Sequence, residues 1–216
     1  MKKLIIIIPA RKNSKRLKNK NILTIGSLNL VERSIIFAKK LVKNNRIVLS
    51  TDSSKIQKIG KKNGILVPWL RPKSLSADTS KTTSVVLHSL KWYEKKIEKI
   101  DYILLLQPTT PFRSLIFFKK AIKMLFKNSK NNYISVNLIK KKILINKHLK
   151  FNNKILNKVK NKNYIINGSM YLISTKEFKK KNSFLTKSSI GLPISQKKFQ
   201  VDIDYLKDFK KAKQYI

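Results

Sequence analysis

The chain has no cysteine, and that absence removes several chemistries at once. Disulfides, iron–sulfur clusters, thiolate zinc sites and cysteine nucleophiles are all excluded. His88 and His148 are the only histidines, too few for a histidine-rich metal site. Glycine is scarce, with 5 residues in 216, and neither a Gly-rich Walker loop nor a GxGxxG turn follows the first apolar run. That argues against a P-loop NTPase and a dinucleotide dehydrogenase. No apolar run approaches the ~20 residues of a membrane span. Lys2 and Lys3 before an apolar stretch look briefly like a signal peptide, but the stretch is short and ends in Pro-Ala-Arg-Lys without a small-residue cleavage site. The expectation is a soluble, cytoplasmic protein of one domain, residues 1–216, with enough chain to bury roughly 70% of its unfolded surface.

Acid is also scarce: 10 Asp and Glu stand against 50 Lys and Arg, a formal net charge of +40. Taken alone, such a charge is the footprint of a nucleic-acid binder, which is the alternative reading from outside enzymology. The distribution favours another cause. The 44 lysines run along the whole chain, and they are accompanied by 29 isoleucines and 19 asparagines. Selection for positive charge would not raise isoleucine, whereas all three residues have AT-rich codons. Base composition accounts for the set, and no specific nucleic-acid partner is expected. The charge would still attract small anions.

Residues 4–21, LIIIIPARKNSKRLKNKN, carry the first functional signal. Leu4 to Ile8 read as a buried strand that Pro9 stops. Arg11, Lys12, Lys15, Arg16, Lys18 and Lys20 follow, with Ser14 and three asparagines among them. A short polar loop of cations and small donors after a strand suits a polyphosphate, since arginine offers a fork matching phosphate oxygens and lysine a mobile point charge. Near the other end, Val201-Asp202-Ile203-Asp204 sets two carboxylates two residues apart, so in a strand they point the same way. In a chain this poor in acid, the pair suggests a hard-cation site, since Mg²⁺ is usually held by one or two carboxylates together with substrate phosphates. An exposed strand end with two solvated charges is the alternative. A cationic phosphate loop combined with a carboxylate pair suggests nucleotidyl transfer.

Strand and helix patterns alternate along the chain, which predicts an α/β fold: a mostly parallel sheet with helices on both faces. Strands are expected at 3–8, 46–50, 65–67, 102–106, 133–137, 164–173 and 199–203. Helices are expected at 30–43, at 54–62 behind the Ser-Thr-Asp-Ser cap, at 79–98 opened by Asp78 and Thr79, at 114–127 and at 205–215. Gly64 should end the helix at 54–62. Residues 138–163, polar and asparagine-rich with short apolar runs, read as a hairpin-like excursion, and 179–198 as loop. Gln107-Pro108-Thr109-Thr110-Pro111 forms a rigid loop at a strand's carboxyl end, the edge where open α/β sheets bind ligands.

Six segments in order make the chain recognisable: IPARKNSKRLKNKNI (8–22), LSTDSSKI (49–56), VPWLRPKSLSADTSKTTSVVLHSL (67–90), LLLQPTTPFRS (104–114), YIINGSMYLI (164–173) and VDIDYLKDF (201–209). They cover most of the chain and resemble the acylneuraminate cytidylyltransferase family, which activates sialic acid and related nine-carbon keto-sugar acids (nonulosonic acids). The resemblance implies a Rossmann-like nucleotidyltransferase fold, CTP and a keto-sugar acid as substrates, Mg²⁺ as cofactor, and a homodimer that exchanges the excursion. It also implies roles. Arg11, Ser14, Lys15, Lys20 and Asn21 match the nucleotide-binding loop, with Arg11, Lys15 and Lys20 serving the transfer itself. Arg71 and the Asp78 to Thr82 stretch, including Ser80, match the border of base and ribose. Gln107, Thr82 and Asn167 match the sugar side, and Asp202 and Asp204 the metal pair. Enzymes making CMP-activated eight-carbon keto-sugar acids are the nearest alternative; Lys20-Asn21 and the QPTTPFR run favour the nine-carbon group.

Three departures stand out. Many relatives have glycines where this chain has Lys12-Asn13, so the turn is expected to differ, because lysine tolerates a left-handed backbone poorly. The family's usual Tyr-Arg-x-Asn-Gly reads Tyr164-Ile165-Ile166-Asn167-Gly168 here, and an upstream Arg-Gln pair is missing. The last two fall on the sugar side or its frame, so the nucleotide and metal half carries the resemblance better.

Overall fold

Alternate residues of the first strand face opposite ways, and both ways are buried. In β1 (Leu4–Pro9), Leu4, Ile6 and Ile8 join one apolar cluster and Ile5 and Ile7 another. A strand apolar on both faces must have layers on both sides. Those layers are visible in the computed structural model, which describes residues 2–139 and 163–216. One layer contains α1 (Leu30–Lys39) and α5 (Leu115–Lys127), whose Val31, Ile35, Phe118 and Ala121 meet the even-numbered side of β1. The other contains α4 (Thr82–Lys96), whose Val86, Leu90 and Tyr93 meet Ile5 and Ile7. Each fully buried side chain of this size contributes about 1.5–3 kcal/mol of transfer free energy.

The remaining strands in chain order are β2 (Thr24–Ile25), β3 (Leu28–Asn29), β4 (Ile47–Ser50), β5 (Tyr102–Leu105), β6 (Asn132–Ile139), β7 (Asn163–Ser174) and β8 (Ser189–Pro193). Six of them form one sheet in the order β4-β1-β5-β7-β6-β8, and β2 and β3 pair separately. Every neighbour in the large sheet is parallel except at β7, which runs antiparallel to both β5 and β6. The parallel register sets Ile7 opposite Leu105 and Pro9 opposite Ser50, so β1, β4 and β5 end at one edge. The further helices are α2 (Ser54–Lys62), α3 (Lys73–Ser76), α6 (Thr175–Lys181) and α7 (Leu206–Lys213).

Local chemistry sets most helix ends. Asn29 and Glu32 form a capping box on α1, while Ser53, Ser114 and Ser174 accept from the third backbone N–H of α2, α5 and α6. Gly64, at φ +68°, turns the chain after α2 in a conformation other residues resist.

Several expectations are corrected. Residues 65–67 form no strand, only a parallel bridge between Leu66 and Val48. Helix α1 stops at Lys39, and α4 begins at Thr82 instead of 79, behind an extended Lys81 with no side-chain cap. The 179–198 stretch is not all loop: it contains the end of α6 and the whole of β8, an edge strand without an apolar run of its own. The strand expected at 199–203 does not form: a 3₁₀ turn covers Lys197–Gln200 and residues 201–203 join no ladder. Val201 and Ile203 are still buried there, so the alternation persists without the strand. The expected excursion begins as paired strands, with Leu138 opposite Tyr164. Its residues 140–162 lie outside the described residues. Among the described residues no helix is long and apolar enough to cross a membrane.

Candidate active site

Where β1 and β5 end side by side, the chain leaving each strand turns over the sheet edge. Between the two turns opens a cavity of about 630 Å³. Of the residues singled out from sequence, Arg11, Ser14, Lys15, Lys20, Asn21, Arg71, Ser80, Thr82 and Gln107 line it, although they come from four separate segments.

The cationic loop is held by backbone bonds at its start. Ala10 N donates to Ser50 O at 2.9 Å, keeping the exit of β1 against β4. Lys12 N donates to Asp52 Oδ1 at 2.6 Å, and the buried Asn21 closes the loop by donating from Nδ2 to Arg11 O at 2.9 Å. Neither Lys12 nor Asn13 has a positive φ; within this loop only Asn19 does, at 53°. The lost glycines therefore cost no backbone strain here, because Asp52 supports the turn from outside.

Two carboxylates divide the cations of the loop. Asp78 Oδ1 pairs with Arg11 Nη1 at 2.5 Å and its Oδ2 with Lys15 Nζ at 3.1 Å. Asp204 Oδ1 pairs with Lys20 Nζ at 2.8 Å and its Oδ2 with Arg16 Nη1 at 3.0 Å. Lys15 and then Arg11 hold the Asp78 carboxyl below the usual carboxylate range. A hydrogen bond with Tyr205, followed by the charge of Asp204, pushes the Arg16 guanidinium up, and Arg16 also lies over the Tyr205 ring at 5.2 Å. Arg71 is buried, with Nε donating to Ser50 Oγ at 3.2 Å and Nη2 to Ser50 O. Burial brings it down to about 10, against the pull of Asp52.

On the β5 side, Arg113 Nη2 donates to Gln107 O at 2.6 Å and to Thr110 Oγ1 at 3.2 Å, bracing the proline–threonine loop from beneath. Burial pushes this guanidinium down to about 9, partly offset by Asp202. Ile203 N donates to Thr109 O at 2.8 Å, which fastens the aspartate segment to the same loop. Asp202 is half-buried, and its Oδ1 is buried with no hydrogen-bond partner. Burial pushes its carboxyl up, with a smaller upward contribution from Asp204 and a downward one from Thr109. Gly168 lies against this corner at φ +75°, where a Cβ would sit 2.8 Å from Gln107 Oε1 and 3.3 Å from Asp202 Oδ2. Only glycine leaves room for both groups.

Three expected site residues do not line the cavity: Asp202 and Asp204 stand behind its wall, Asp204 paired with the lining Lys20 and Arg16, and Asn167 is turned away from it. Asn167 Oδ1 accepts from Ser135 Oγ at 2.5 Å and from Ser169 N at 3.0 Å, and its Nδ2 donates to Asn137 Oδ1 at 2.7 Å. The amide is spent bracing β6 against β7 beside Gly168. Ile165, where relatives carry arginine, is 52% exposed on β7 and also lies off the cavity wall.

Sequence reasoning gave no role to Asp52 or Arg113, named Arg16 only as one cation of the loop, and read Asp78 as opening a helix and as part of the stretch matching the border of base and ribose. Scarcity was the available signal. The chain has six arginines, and Arg11, Arg16, Arg71 and Arg113 surround this site. The same holds for Asp52, Asp78, Asp202 and Asp204 among its 10 acids.

Among the described residues no three His, Cys, Asp or Glu side chains gather as a metal cluster. What the margin of the cavity offers is Asp204, paired with the lining Lys20 and Arg16, and Asp202, whose Oδ1 is buried and unpartnered. Such a donor set fits a cation whose remaining ligands come from a phosphate substrate.

The comparisons agree with this geometry. A family model described as cytidylyltransferase matches residues 5–216. A CMP-N,N'-diacetyllegionaminic acid synthase of Legionella pneumophila is 29% identical over 94% of this chain and 91% of its own. The post-translational flagellin modification protein B of Campylobacter coli is 30% identical over 97% and 93% respectively. Among solved structures, a CMP:2-keto-3-deoxy-manno-octonic acid synthetase complexed with CTP superposes with a TM-score of 0.69, covering 99% of this chain and 98% of that one at 13% identity, a likeness of fold. With a match that runs from the first buried strand to the last residue, the chain belongs to the cytidylyltransferase family.

Proposed function

We propose that this enzyme transfers CMP from CTP to the anomeric hydroxyl of a nonulosonic acid and releases pyrophosphate. The observation that carries the reading is likeness over 94% of this chain to a CMP-N,N'-diacetyllegionaminic acid synthase, in a chain whose cavity collects the cations such a transfer needs, with Asp204 paired to two of them at its margin. The sugar oxygen attacks the α-phosphorus and loses its proton, and the bond to the β-phosphate oxygen breaks. Positioning and charge neutralisation supply most of the rate. Arg11 and Lys15 would take up charge developing on the leaving pyrophosphate. Lys20, Ser14 and Asn21 hold the loop and its triphosphate, Arg71 and Ser80 border base and ribose, and Gln107 and Thr82 face the sugar acid. Asp202 and Asp204 would hold Mg²⁺, which supplies phosphate charge neutralisation and a lowered pKa for a nearby hydroxyl. For Asp204 this means exchanging the Lys20 and Arg16 cations for the metal, whereas the unpartnered Asp202 oxygen has nothing to give up.

A pyrophosphate-release assay with the four nucleoside triphosphates against a panel of keto-sugar acids tests the assignment. Turnover is expected with CTP, a nonulosonic acid and Mg²⁺; equal turnover with ATP or UTP would sink it.

The assembly we infer is a two-fold homodimer, the commonest closed symmetry. It is supported by the apolar residues of the 138–163 segment, which is too polar to form a core of its own. Light scattering at micromolar concentration should give a dimer mass for the intact chain, and a monomer mass would defeat this reading.

A further inference from the structure

Asp78 occupies the place in the cavity where a carboxylate is least expected. It sits among the cations proposed to receive the triphosphate and pairs with Arg11 and Lys15 together. It caps no helix, since α4 starts at Thr82 behind Lys81, and the Asp78 turn is held without its side chain: Ser80 N donates to Ala77 O at 3.0 Å and Ser80 Oγ to Ser74 O at 2.8 Å. The carboxylate is thus free to change partners without unravelling its segment.

We propose that Asp78 is a specificity-determining residue that hands Arg11 and Lys15 to the triphosphate and re-pairs with the ribose hydroxyls of the incoming nucleotide. The inference rests on the nucleotide reading of the cavity given above. Its physical core is donor and acceptor chemistry. A polyphosphate offers only acceptors, as does Asp78, so the two compete for the same cations. A bare polyphosphate that wins takes both cations from the exposed Asp78 and returns no donor to it. A ribose carries hydroxyl donors, and a carboxylate accepting from a ribose diol is a common mode of nucleotide recognition. Ser80 and Thr82, on the same wall as Asp78, mark where that ribose would lie. In a chain of net charge +40, which draws in every polyanion, discrimination has to come from a contact that a plain phosphate chain cannot repay.

The test compares binding of CTP and inorganic tripolyphosphate by calorimetry at fixed salt, for wild type, Asp78→Asn and Glu177→Gln. Glu177, at the start of α6 and at the far end of the sheet, changes net charge equally and serves as the control. Asp78→Asn should bind tripolyphosphate roughly three- to tenfold more tightly, as two half-exposed ion pairs no longer compete. CTP should gain nothing or bind more weakly, so the preference for CTP over tripolyphosphate falls by at least that factor. Glu177→Gln should leave the preference unchanged. An equal gain for both ligands would make Asp78 a simple competitor and overturn the proposal. No change for either ligand, or the same change in Glu177→Gln, would overturn it as well. If wild type binds ATP and UTP as well as CTP, the cytidylyl assignment fails; those nucleotides carry the same ribose and replace CTP in the ratio, so the role of Asp78 is still decided. Asp78→Ser, judged by the same ratio, covers the case of an unfolded asparagine variant.

Discussion

Asp202→Asn and Asp204→Asn are each expected to lower kcat/KM on the order of 10²-fold or more, while shifting stability in opposite directions. The shared loss follows from the metal role proposed for the pair: removing either charge would weaken the hold on Mg²⁺ and the neutralisation of the transferring phosphate. The stability difference follows from what each carboxylate does without metal. Asp202 is half-buried, has one buried and unpartnered oxygen, and is pushed above the ordinary carboxylate range by burial. A raised carboxyl favours the fold while protonated, and that contribution is lost as pH rises through the folded value. At neutral pH the ionised group therefore costs stability, and Asp202→Asn should melt at the same temperature as wild type or higher. Asp204 instead neutralises Lys20, whose side chain is only 10% exposed. Asp204→Asn leaves that ammonium with a neutral partner and should cost about 1–2 kcal/mol. Melting curves without metal and pyrophosphate release at limiting Mg²⁺ read the two effects separately. Near-normal activity in both variants would reduce the pair to a solvated segment end.

The second large effect is expected in the phosphate loop. Arg11→Ala and Lys15→Ala should each lower kcat/KM by roughly 10²-fold, a few kcal/mol of transition-state stabilisation. Lys12→Ala and Lys18→Ala should change it little. Arg11 and Lys15 line the cavity and share Asp78, whereas Lys12 and Lys18 are exposed and lie off its wall. Lys12 contributes to the loop through its backbone N–H, which alanine keeps. Because all four are cations of one loop, the comparison separates position from charge. Equal losses in all four would make general attraction by the +40 chain the better account.

Much of this molecule is legible without coordinates. Leu4 to Ile8 and Tyr102 to Leu105 are continuous apolar runs and form the two strands whose ends open the cavity. Ser53, Ser114 and Gly64 mark helix ends where expected, because a cap acts within one turn of its own helix. The site's cations were visible as a loop after a strand, and the aspartate pair as the rare acid in a basic chain.

What the pattern of residues could not convey is who meets whom. β8 was missed because Ser189–Pro193 has no apolar run and is a strand only by lying along β6. Residues 199–203 were expected to be a strand because they alternate, yet they pair with no strand; Ile203 N donates to Thr109 O, and Val201 and Ile203 are buried. Asn167 looked like a site residue because it precedes Gly168, but the pairing of β6 with β7 consumes its amide. Asp78 looked like a cap because it precedes a helix, but it lies opposite Arg11, 67 residues earlier. Lys20 and Asp204 are 184 residues apart. By itself the sequence determined the strands that are buried apolar runs, the helix ends that carry a local cap, and the kinds of charge at the site, since burial periodicity and capping act over a few neighbouring residues. Only the tertiary structure decided which carboxylate neutralises which cation, because charge pairing acts through space over a few ångströms and depends on how distant segments close around one cavity.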